Sequence, residues 1–395
     1  MSYRLPTLIV QFEPAPGDPN APLSTPLYQT ATFEQPGADE LGPYDYSRSG
    51  NPTRTVLEDL VAELEGGSRA LAFASGMAAI TAVTRLAGSG DAIVAGDDLY
   101  GGTYRLLSRI GETHGIEVRY VDTTDLDAVA RALDERARLL LLETPTNPLL
   151  KVTDLRAAAR LARDNGTLLA VDNSIMSPYF QKPLELGADI VVESATKALS
   201  GHSDMTGGII AVKDPELAER LYWVQNAEGA GLAPFESWLL LRSVKTLAVR
   251  LDRQATNAER VAHFLRERPE VATVHWPGFE DHPGHAIHAA QARGASVVIS
   301  FATNDDDTAR RIVEATEVFK ISVSFGGVGS VISLPCQLSH ASIPPEVRRA
   351  RAIPEGLVRL SVGIEAAEDL VADLDAAFAT ANAGRTRSRT REVTA

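Results

Sequence analysis

Apolar residues follow two alternating patterns along the middle of the chain. Short aliphatic and β-branched runs predict strands at Ala92–Ala95, Leu139–Glu143, Leu168–Asp172, Ile190–Val192 and Gly208–Val212. Between them lie Ala-, Leu-, Arg- and Glu-rich stretches with apolar residues at helical spacing, such as Leu126–Arg136 and Leu155–Asn165. Strands that alternate with helices predict an α/β fold with a mostly parallel sheet covered on both faces.

The flanks of this region differ from it. Residues 1–55 are rich in Pro, Gly and polar residues, which predicts an extended N-terminal arm that packs on a neighbouring subunit. The large domain is expected to span 56–247. A long helical stretch over Glu236–Leu265 is expected to lead into a small domain, 248–380.

The small domain is predicted to combine strands and helices. Strands are expected near Ser296–Phe301 and Leu357–Gly363, and a helix over about Ala367–Ala379. The last segment, 381–395, is rich in Arg and Thr and lacks apolar periodicity, so we expect a flexible tail. Its arginines also fit a small anion-binding role, although solvated ends are much the commoner case.

Composition excludes several classes of function. With 38 basic and 52 acidic residues, the net charge of −14 disfavours nucleic acid as a partner. A single cysteine rules out intrachain disulfides and favours a reducing compartment. Neither a secretory signal nor an apolar stretch long enough to span a membrane is recognisable, so we expect a cytoplasmic protein without membrane contact.

Two residues in the predicted α/β region give the first chemical signal. Asp172 ends one predicted strand and Lys197 follows the next. Adjacent parallel strands present their carboxyl ends at one edge of a sheet, so we expect these side chains to lie close together. A Schiff-base lysine needs desolvation or a nearby cation, and a carboxylate can keep a pyridine nitrogen protonated. The pair predicts a site for pyridoxal 5′-phosphate (PLP).

Residues suited to a phosphate group accompany this pair. Ser194 and Thr196 place two hydroxyls beside the lysine. Gly76 and Met77 stand where a helix should begin, and helix N-termini offer unpaired N–H groups to anions. A plain helix N-cap by Ser75 explains the same motif without a ligand.

Four further residues fit such a site. Tyr100, flanked by glycines, could stack on a flat ring. Tyr46 and Arg48 lie in the N-terminal arm, where the arginine could bind a phosphate through two parallel hydrogen bonds. Arg359 is a charged residue inside an apolar strand, which fits either a substrate carboxylate or a structural salt bridge.

Other motifs carry weaker signals. The chain has no Gly-x4-Gly-Lys-Ser/Thr, and the segment 327–332 lacks the third glycine and the βαβ unit of a dinucleotide site, so neither a P-loop nor NAD binding is expected. His282, His285 and His288 share a spacing of three, yet Pro and Gly open the segment and no acidic or Cys ligand is in register, so no metal site is predicted. Cys336 is expected to be a packed side chain.

Together these motifs resemble the Cys/Met-metabolism PLP enzymes, which include cystathionine γ-synthase, γ-lyase, β-lyase and methionine γ-lyase. The matching segments occur in family order from about residue 5 to 380: YSRSGNPTR, SGMAA, DDLYGGT, ETPTNP, VDN, SATK with GHSD, GLAPF and LVRLSVGIE. The resemblance implies the PLP-dependent transferase fold of type I, which is aspartate aminotransferase-like. It has a large, mostly parallel sheet domain and a small C-terminal α+β domain.

The resemblance also implies roles for the cofactor-binding residues. Lys197 forms the Schiff base and moves the proton, Asp172 pairs with the pyridine nitrogen, and Tyr100 stacks on the ring and assists catalysis. The phosphate is held by Gly76, Met77, Ser194 and Thr196, together with Tyr46 and Arg48 of a neighbouring subunit. The active unit should therefore be a dimer, paired again into a homotetramer.

Arg359, helped by Asn147 and the Ser324 region, is implied to hold the α-carboxylate of a small sulfur amino acid, and Tyr46 is a further candidate substrate contact. Within the family, segments such as VSFGGVGSVISLPCQLSHASIP most resemble the plant-type cystathionine β-lyases. Two departures stand out: Ala198 replaces an aromatic residue, and Gly329 replaces a glutamate common in γ-lyases and γ-synthases.

We therefore expect β-elimination of L-cystathionine to homocysteine, pyruvate and ammonia. The nearest alternative is γ-elimination or γ-replacement on the same scaffold, as in cystathionine γ-lyase, cystathionine γ-synthase or methionine γ-lyase. A catalytically silent PLP-binding protein is a more remote alternative.

Overall fold

The computed structural model describes residues 3–12 and 20–393, with side chains as far as residue 383. The chain divides into two compact units. The first comprises Met1–Gly96, Leu106–Glu143 and Asp154–Ala248, and the second comprises Asp97–Arg105, Thr144–Thr153 and Val249–Ala395. The two short segments that join the second unit were not foreseen as part of it. The first segment contains the DDLYGGT motif. The second contains the ETPTNP motif except for its first residue, Glu143, which belongs to the first unit.

The sheet of the first unit has seven strands. In chain order they are β1 (Arg69–Phe73), β2 (Ala92–Gly96), β3 (Glu117–Val121), β4 (Ala137–Glu143), β5 (Leu168–Asp172), β6 (Ile190–Glu193) and β7 (Gly208–Val212). Their spatial order is β1-β7-β6-β5-β4-β2-β3. Strands β3, β2, β4, β5 and β6 run parallel, whereas β7 is antiparallel to both of its neighbours. The predicted mostly parallel sheet is confirmed.

The sheet of the second unit has five strands: β8 (Val271–His275), β9 (Val298–Thr303), β10 (Lys320–Ile321), β11 (Val331–Ser333) and β12 (Leu357–Ser361). Their spatial order is β10-β11-β12-β9-β8, and every pair except β10–β11 is antiparallel. The two strands that the sequence predicted here are confirmed as β9 and β12, within two residues at each end.

Helices cover both sheets. They are α1 (Leu5–Gln11), α2 (Pro52–Glu65), α3 (Gly76–Thr84), α4 (Gly101–His114), α5 (Leu126–Ala132), α6 (Leu155–Asn165), α7 (Ser177–Phe180), α8 (Pro215–Glu228), α9 (Pro234–Val244), α10 (Leu247–Arg266), α11 (His285–Gln291), α12 (Asp306–Ala315), α13 (Pro345–Ala350) and α14 (Ala367–Val393). Short 3₁₀ turns lie at Pro183–Leu186 and Pro335–Gln337. In the described part of the chain no helix is long and apolar enough to cross a membrane.

Each unit has its own apolar core. In the first unit every residue of β2 and β7 is buried, so both faces of the sheet are covered. Helix α6 packs on β5, and α3 packs on β6 and β7. In the second unit α12 and α14 pack on each other, and Phe301, Phe319 and Phe378 are completely buried in the core. Burial of this kind is the main source of stability for the two sheets.

Two predicted helices have different ends in the structure. The stretch predicted to be one helix over Glu236–Leu265 forms two helices, α9 and α10. They are separated by a turn in which Thr246 donates to the Ser243 carbonyl from its N–H at 3.2 Å and from its hydroxyl at 3.0 Å. Helix α5 ends at Ala132 instead of Arg136. Asp134 accepts a hydrogen bond from the Arg136 N–H at 3.0 Å, a local turn that competes with the helix.

The two chain ends also differ from expectation. The arm contains a helix, α1, where the sequence suggested an extended segment. Helix α14 continues to Val393, beyond the predicted end at Ala379 and through most of the segment expected to be a flexible tail. Arginine and alanine make up six of residues 381–393 and are good helix formers, so helix propensity explains the extension without apolar periodicity. Residues 394–395 lie outside the described part.

Candidate active site

Acidic residues end three neighbouring strands of the first sheet. Glu143 ends β4, Asp172 ends β5 and Glu193 ends β6. Glu143 pairs in register with Asp172, and Asp172 with Val192. Lys197 follows β6 by four residues, so the predicted placement of Asp172 and Lys197 on adjacent strand ends is confirmed. This edge of the sheet is where a doubly wound fold collects its reactive groups.

Asp172 interacts with two groups that favour its charged form. Its Oδ1 accepts hydrogen bonds from the Ser174 N–H at 3.0 Å and from the Ser174 hydroxyl at 2.5 Å. Burial raises the pKa of Asp172 above its ordinary value, while the bonds from Ser174 and the charge of Lys197 oppose that rise. The lysine and the acid therefore sense each other electrostatically, as a PLP site requires.

The start of α3 forms one wall of an anion-sized cradle. Ser75 caps the helix by accepting from the Ala78 N–H at 3.1 Å, which confirms the plain capping role. Gly76 and Met77 are the first two helical residues, so their N–H groups precede the intrahelical bonds. A Cβ on Gly76 would lie 2.8 Å from the Ser194 Cβ, which leaves no room for a side chain. Helix capping and anion binding are thus compatible at this terminus.

Strand ends complete the cradle. A Cβ on Gly208 would lie 2.2 Å from the Ser75 carbonyl oxygen, so β7 and the start of α3 approach each other through backbone alone. The Thr196 hydroxyl accepts from the Gly207 N–H at 3.0 Å, which ties the Lys197 turn to β7. A shell of backbone N–H groups and hydroxyls, with glycine where a Cβ would collide, fits the phosphate of PLP.

The backbone around Lys197 is fixed by a tight turn. The Lys197 N–H donates to the Ser194 carbonyl at 3.0 Å, and its own carbonyl accepts from the Gly201 N–H at 2.8 Å. Gly201 adopts φ +68°, a left-handed conformation that favours glycine. Ala198, where the family resemblance led us to expect an aromatic residue, is almost completely buried. The small side chain is therefore accommodated by tight packing.

The Tyr46–Arg48 segment lies on the surface of the first unit. Arg48 Nε donates to Asn226 Oδ1 at 3.2 Å, and its guanidinium lies 5.4 Å from the centre of the Tyr46 ring. Tyr46 is 43% exposed, so it is open to a contact outside this chain.

Arg54 supports this segment from below, a role that we did not predict. It is nearly buried and donates to the backbone carbonyls of Ser47 at 2.7 Å, Arg48 at 3.0 Å and Leu232 at 3.1 Å. Through these three hydrogen bonds Arg54 holds the backbone of Ser47 and Arg48 in place. The sequence offered one signal for this role: Arg54 ends the YSRSGNPTR motif, two residues after the start of α2.

The second unit contains the predicted carboxylate-binding residues. Arg359 lies in the middle of β12 and is 2% exposed. Its Nη1 donates to Asn147 Oδ1 at 2.8 Å and its Nη2 to the Ser324 carbonyl at 2.9 Å. Ser324 adopts φ +78°, an uncommon conformation for a residue with a side chain, and such strain is often found at ligand sites. The predicted grouping of Arg359, Asn147 and Ser324 is present.

His340 is a functional candidate that sequence reasoning missed. It is completely buried, and its Nε2 is hydrogen-bonded to the Asn147 carbonyl at 3.0 Å. Burial and the charge of Arg359 lower the pKa of His340 to about 4, so the ring is neutral near pH 7. A carbonyl only accepts, so Nε2 carries the hydrogen, and Nδ1 can accept from the Ser339 hydroxyl at 2.9 Å. This ring fixes Asn147, the partner of Arg359.

Tyr100 belongs to the same unit and lies in a segment that is tied to Asn147. Asp98 accepts a hydrogen bond from the Thr146 hydroxyl and another from the Leu149 N–H at 3.3 Å. Burial raises the pKa of Asp98 to about 6, which the bond from Thr146 opposes. Tyr100 is 36% exposed, so its ring is accessible to a ligand.

The histidine segment makes structural contacts. His282 Nδ1 accepts from the Gly284 N–H at 3.0 Å, His285 Nδ1 lies 2.9 Å from the Pro277 carbonyl, and His288 Nε2 lies 3.0 Å from the Gly294 carbonyl. Among the described residues, no group of three or more His, Cys, Asp or Glu side chains is arranged to hold a metal ion. Cys336 is buried and its thiol pKa is raised to about 11 by burial, which does not suit a nucleophile.

Gly329 has space around it. A Cβ at this position would meet nothing within 4 Å, so the backbone could accept a larger residue without a clash. The next residue, Ser330, is held by Glu365, which accepts from the Ser330 N–H at 2.6 Å and from its hydroxyl at 2.9 Å. The absence of a carboxylate at 329 is therefore not imposed by packing.

Comparison with known proteins agrees with this arrangement. The chain is 54% identical over 363 residues to "Cystathionine beta-lyase, chloroplastic" of Arabidopsis thaliana, covering 92% of this chain and 78% of the relative. It is 48% identical over 356 residues to "Cystathionine gamma-lyase" of Bacillus subtilis, covering 90% of this chain and 94% of the relative. The crystal structure of a cystathionine γ-lyase from Lactobacillus plantarum complexed with L-serine matches with a TM-score of 0.94 and 41% identity, over 96% of this chain and 100% of that one.

These likenesses confirm the expected PLP-dependent transferase fold of type I. The family description "Cys/Met metabolism PLP-dependent enzyme" matches residues 6–379, which is nearly the whole chain. The residues that form the cradle, the Asp172–Lys197 pair and the buried Arg359 all lie within that range. The chain therefore belongs to the family of Cys/Met-metabolism PLP-dependent enzymes.

Proposed function

We propose that this chain is a PLP-dependent carbon–sulfur lyase that cleaves the Cβ–S bond of L-cystathionine, giving homocysteine, pyruvate and ammonia with uptake of one water. The likeness to the plant β-lyase carries the choice of reaction within the family. The site agrees with it through Gly329, where a glutamate common in γ-lyases and γ-synthases is missing although nothing crowds the position.

The first unit supplies the residues for the cofactor. When bound, PLP supplies an electron sink that stabilises negative charge at the substrate Cα. The N–H groups of Gly76 and Met77 and the hydroxyls of Ser194 and Thr196 would hold its phosphate. Both hydrogen bonds from Ser174 end on Oδ1 of Asp172, so we assign the other oxygen, Oδ2, to the pyridine nitrogen.

Lys197 has two tasks in this proposal. Its Nζ holds the cofactor before the substrate arrives, and once displaced it accepts the proton from the substrate Cα. The same ammonium then returns a proton to the sulfur as the Cβ–S bond breaks, so homocysteine leaves as a neutral thiol. The remaining three-carbon fragment takes up water and yields pyruvate and ammonia. The electrostatic contact with Asp172 and the fixed backbone turn support the placement of this amine.

The second unit supplies the residues for the substrate. Arg359 is proposed to bind the α-carboxylate, with Asn147 orienting one guanidinium nitrogen and the Ser324 carbonyl the other. The buried guanidinium of Arg359 is positively charged and planar, which suits a carboxylate bound through parallel hydrogen bonds. Tyr100 is proposed to stack on the cofactor ring and to assist the proton transfer.

We also propose that Tyr46 and Arg48 act on the neighbouring subunit, with Arg48 and Tyr46 binding its cofactor phosphate and Tyr46 its substrate. The exposure of Tyr46 and the support of Arg48 by Arg54 favour a surface-directed role. This role needs a dimer of the chain, and a homotetramer would pair two such dimers. A cytoplasmic location remains part of the proposal; the Arabidopsis relative is named as chloroplastic.

Elimination at the γ-carbon is the second candidate reaction. The likeness to the Bacillus γ-lyase favours it, and the same lysine, acid and arginine would serve. The two reactions differ in the position of the bond that breaks, so they differ in products.

Product identification separates these two reactions. We expect purified protein loaded with PLP to convert L-cystathionine to pyruvate and homocysteine in equal amounts, measured by chromatography of the keto acids and thiols. Predominant 2-oxobutyrate and cysteine would overturn the β-lyase proposal in favour of the γ-lyase. Loss of both activities in protein that retains bound PLP would direct attention to O-acylhomoserine and a thiol as substrates.

A further inference from the structure

Two carboxyl groups meet in the interior of the first unit. Glu65 is the last residue of α2 and Glu193 the last residue of β6, and they are 0% and 1% exposed. Within the described residues neither oxygen of Glu65 has a well-formed hydrogen bond from a donor group. The polar groups that act on it most strongly are the carboxyl of Glu193, through a hydrogen bond between the two carboxyls, and the side-chain amide of Asn173. Two carboxyls can form that bond only if one of them carries a proton.

Glu193 is the member of this pair that faces the cofactor residues. Its Oε1 accepts from Asn173 Nδ2 at 3.2 Å, and Asn173 directly follows Asp172. The same amide nitrogen donates to the Gln181 carbonyl at 2.9 Å, so Asn173 is fixed by two elements. The negative charge of Asp172 acts on Glu193 and raises its pKa, whereas the charges of Lys182 and Glu185 act on Glu65.

The remaining charged neighbours lie on the other side of the pair. Lys182 precedes the 3₁₀ turn before β6 and Glu185 lies within it; the two form an ion pair at 3.5 Å and act on Glu65 with opposite signs. On the sheet, Glu143 ends β4 one strand beyond Asp172. A negative charge on Glu193 would therefore face Asp172, whereas the same charge on Glu65 would face Lys182. Electrostatics thus favours the proton on Glu193.

The two pKa values follow this order. Burial raises the pKa of Glu65 from its ordinary value of 4.5 to about 7. Burial and the neighbouring charge of Glu65 raise the pKa of Glu193 well above 4.5, and Asp172 adds to that rise. Two carboxyls in one desolvated site lose their protons in separate steps, as paired acids do.

We propose that Glu65 and Glu193 share one proton, that Glu193 holds it in the working enzyme, and that the pair thereby keeps a buried negative charge away from Asp172. Glu193 is then a positioning residue for the cofactor acid: it holds Asn173 through its carboxyl oxygen and presents a neutral group to Asp172. This proposal rests on the proposed role of Asp172 at the pyridine nitrogen.

Two isosteric variants distinguish the location of the charge. Glu193→Gln keeps a neutral hydrogen-bond donor next to Asp172 and leaves the charge on Glu65. Glu65→Gln removes the charged carboxyl, and burial together with the charge of Asp172 keeps the proton on Glu193. Both variants lose one carboxyl group and keep nearly the same side-chain volume. Glu63→Gln, on the exposed side of α2, is the matched control for loss of a carboxylate from the same helix.

The visible absorbance of bound PLP reports the difference. A nearby negative charge stabilises the protonated cofactor and raises the pH midpoint of its absorbance change. We expect Glu193→Gln and Glu63→Gln to keep the wild-type midpoint and Glu65→Gln, which loses the buried charge, to lower it by less than about half a unit. A downward shift in both Glu65→Gln and Glu193→Gln would mean that the pair is doubly ionised and would overturn the proposal. Unchanged midpoints in both would mean that it is doubly protonated, which also overturns it.

The protein without cofactor gives an independent test. Infrared spectra at about pH 8.5, above the pKa of about 7 of Glu65, should show the carbonyl stretch of a buried carboxylic acid in the wild type, in Glu63→Gln and in Glu65→Gln. We expect Glu193→Gln to lack that band. A band that persists unchanged in Glu193→Gln would show that the acid lies elsewhere and would overturn the shared proton. Because no PLP is present, this result is independent of the proposed lyase activity.

The pH dependence of thermal unfolding also tests whether the two carboxyls share a proton. Since folding raises the pKa of Glu65 from 4.5 to about 7, the stability that its proton contributes is complete below pH 4.5 and is lost as the pH rises through 7. We expect the melting temperature of the wild type to fall more steeply between pH 5 and about pH 8 than that of Glu193→Gln. Equal slopes in the two proteins would contradict a shared proton in the pair.

Discussion

Replacement of Lys197 with alanine is expected to lower kcat for L-cystathionine by at least about 10²- to 10⁴-fold, the usual contribution of a positioned acid–base group. The amine that we assign to the Cα proton and to the sulfur would be absent, while the Asp172 side of the site would stay in place. The Ser194–Gly201 turn is made by backbone groups, so alanine should not disturb it.

The control for this prediction is Lys213→Ala. Lys213 is an exposed lysine of the same unit, just beyond β7, whose ammonium donates to the Leu184 carbonyl. It should keep full turnover. Added primary amines such as methylamine should restore part of the activity of Lys197→Ala but not increase that of the control. If Lys197→Ala kept more than about a tenth of wild-type turnover, its assignment as the acid–base group would be wrong.

Replacement of Arg359 with leucine is expected to raise KM for L-cystathionine by about 10- to 100-fold, because each charge-assisted hydrogen bond contributes about 1.5–3 kcal/mol. The effect on kcat should be smaller, since the arginine binds the carboxylate in both ground and transition states. Arg359→Lys keeps the charge but loses the planar fork, so we expect an intermediate KM.

A structural effect of Arg359 can be separated from substrate binding. The residue is buried and also holds Asn147 and the Ser324 carbonyl, so its removal should lower the melting temperature as well. Comparing an S-substituted L-cysteine with its α-methyl ester isolates the carboxylate. The wild type should discriminate strongly between them, and Arg359→Leu should not. Strong discrimination that persists in Arg359→Leu would show that the carboxylate is bound elsewhere.

The strands that carry the site were predictable because their sequences contain strong local signals. Aliphatic runs such as Leu168–Asp172 and Gly208–Val212 match their strands at both ends. Parallel pairing then placed Asp172 and Lys197 at adjacent strand ends. Arg359 was recognisable because a charge inside an apolar strand needs a special reason to be there.

The missed residues depend on contacts between distant parts of the sequence. His340 is 193 residues from Asn147, and Arg54 is 178 residues from Leu232, so no local pattern connects these pairs. Glu193 could have been noticed, since it ends an apolar strand as Asp172 does. From the sequence, its partner Glu65 is indistinguishable from an ordinary acidic residue at the end of a helix. Only tertiary packing shows that both carboxyls are buried together.

Helix ends were predicted less well than strands, for two different reasons. The break after Val244 depends on a turn at Thr246, which apolar periodicity does not detect. The extension of α14 to Val393 depends on helix propensity in a segment without an apolar face, and there the absence of periodicity was misleading.

Trapping the cofactor on its lysine tests the central claim most directly. Borohydride reduction of the PLP-loaded protein, followed by digestion and mass spectrometry, should place a single pyridoxyl group on the peptide that contains Lys197. The other lysines, Lys151, Lys182, Lys213, Lys245 and Lys320, should be unmodified. Lys197→Ala treated in the same way should show no stoichiometric label. A pyridoxyl group on another lysine, or no label on a protein that binds PLP, would contradict the account of this site.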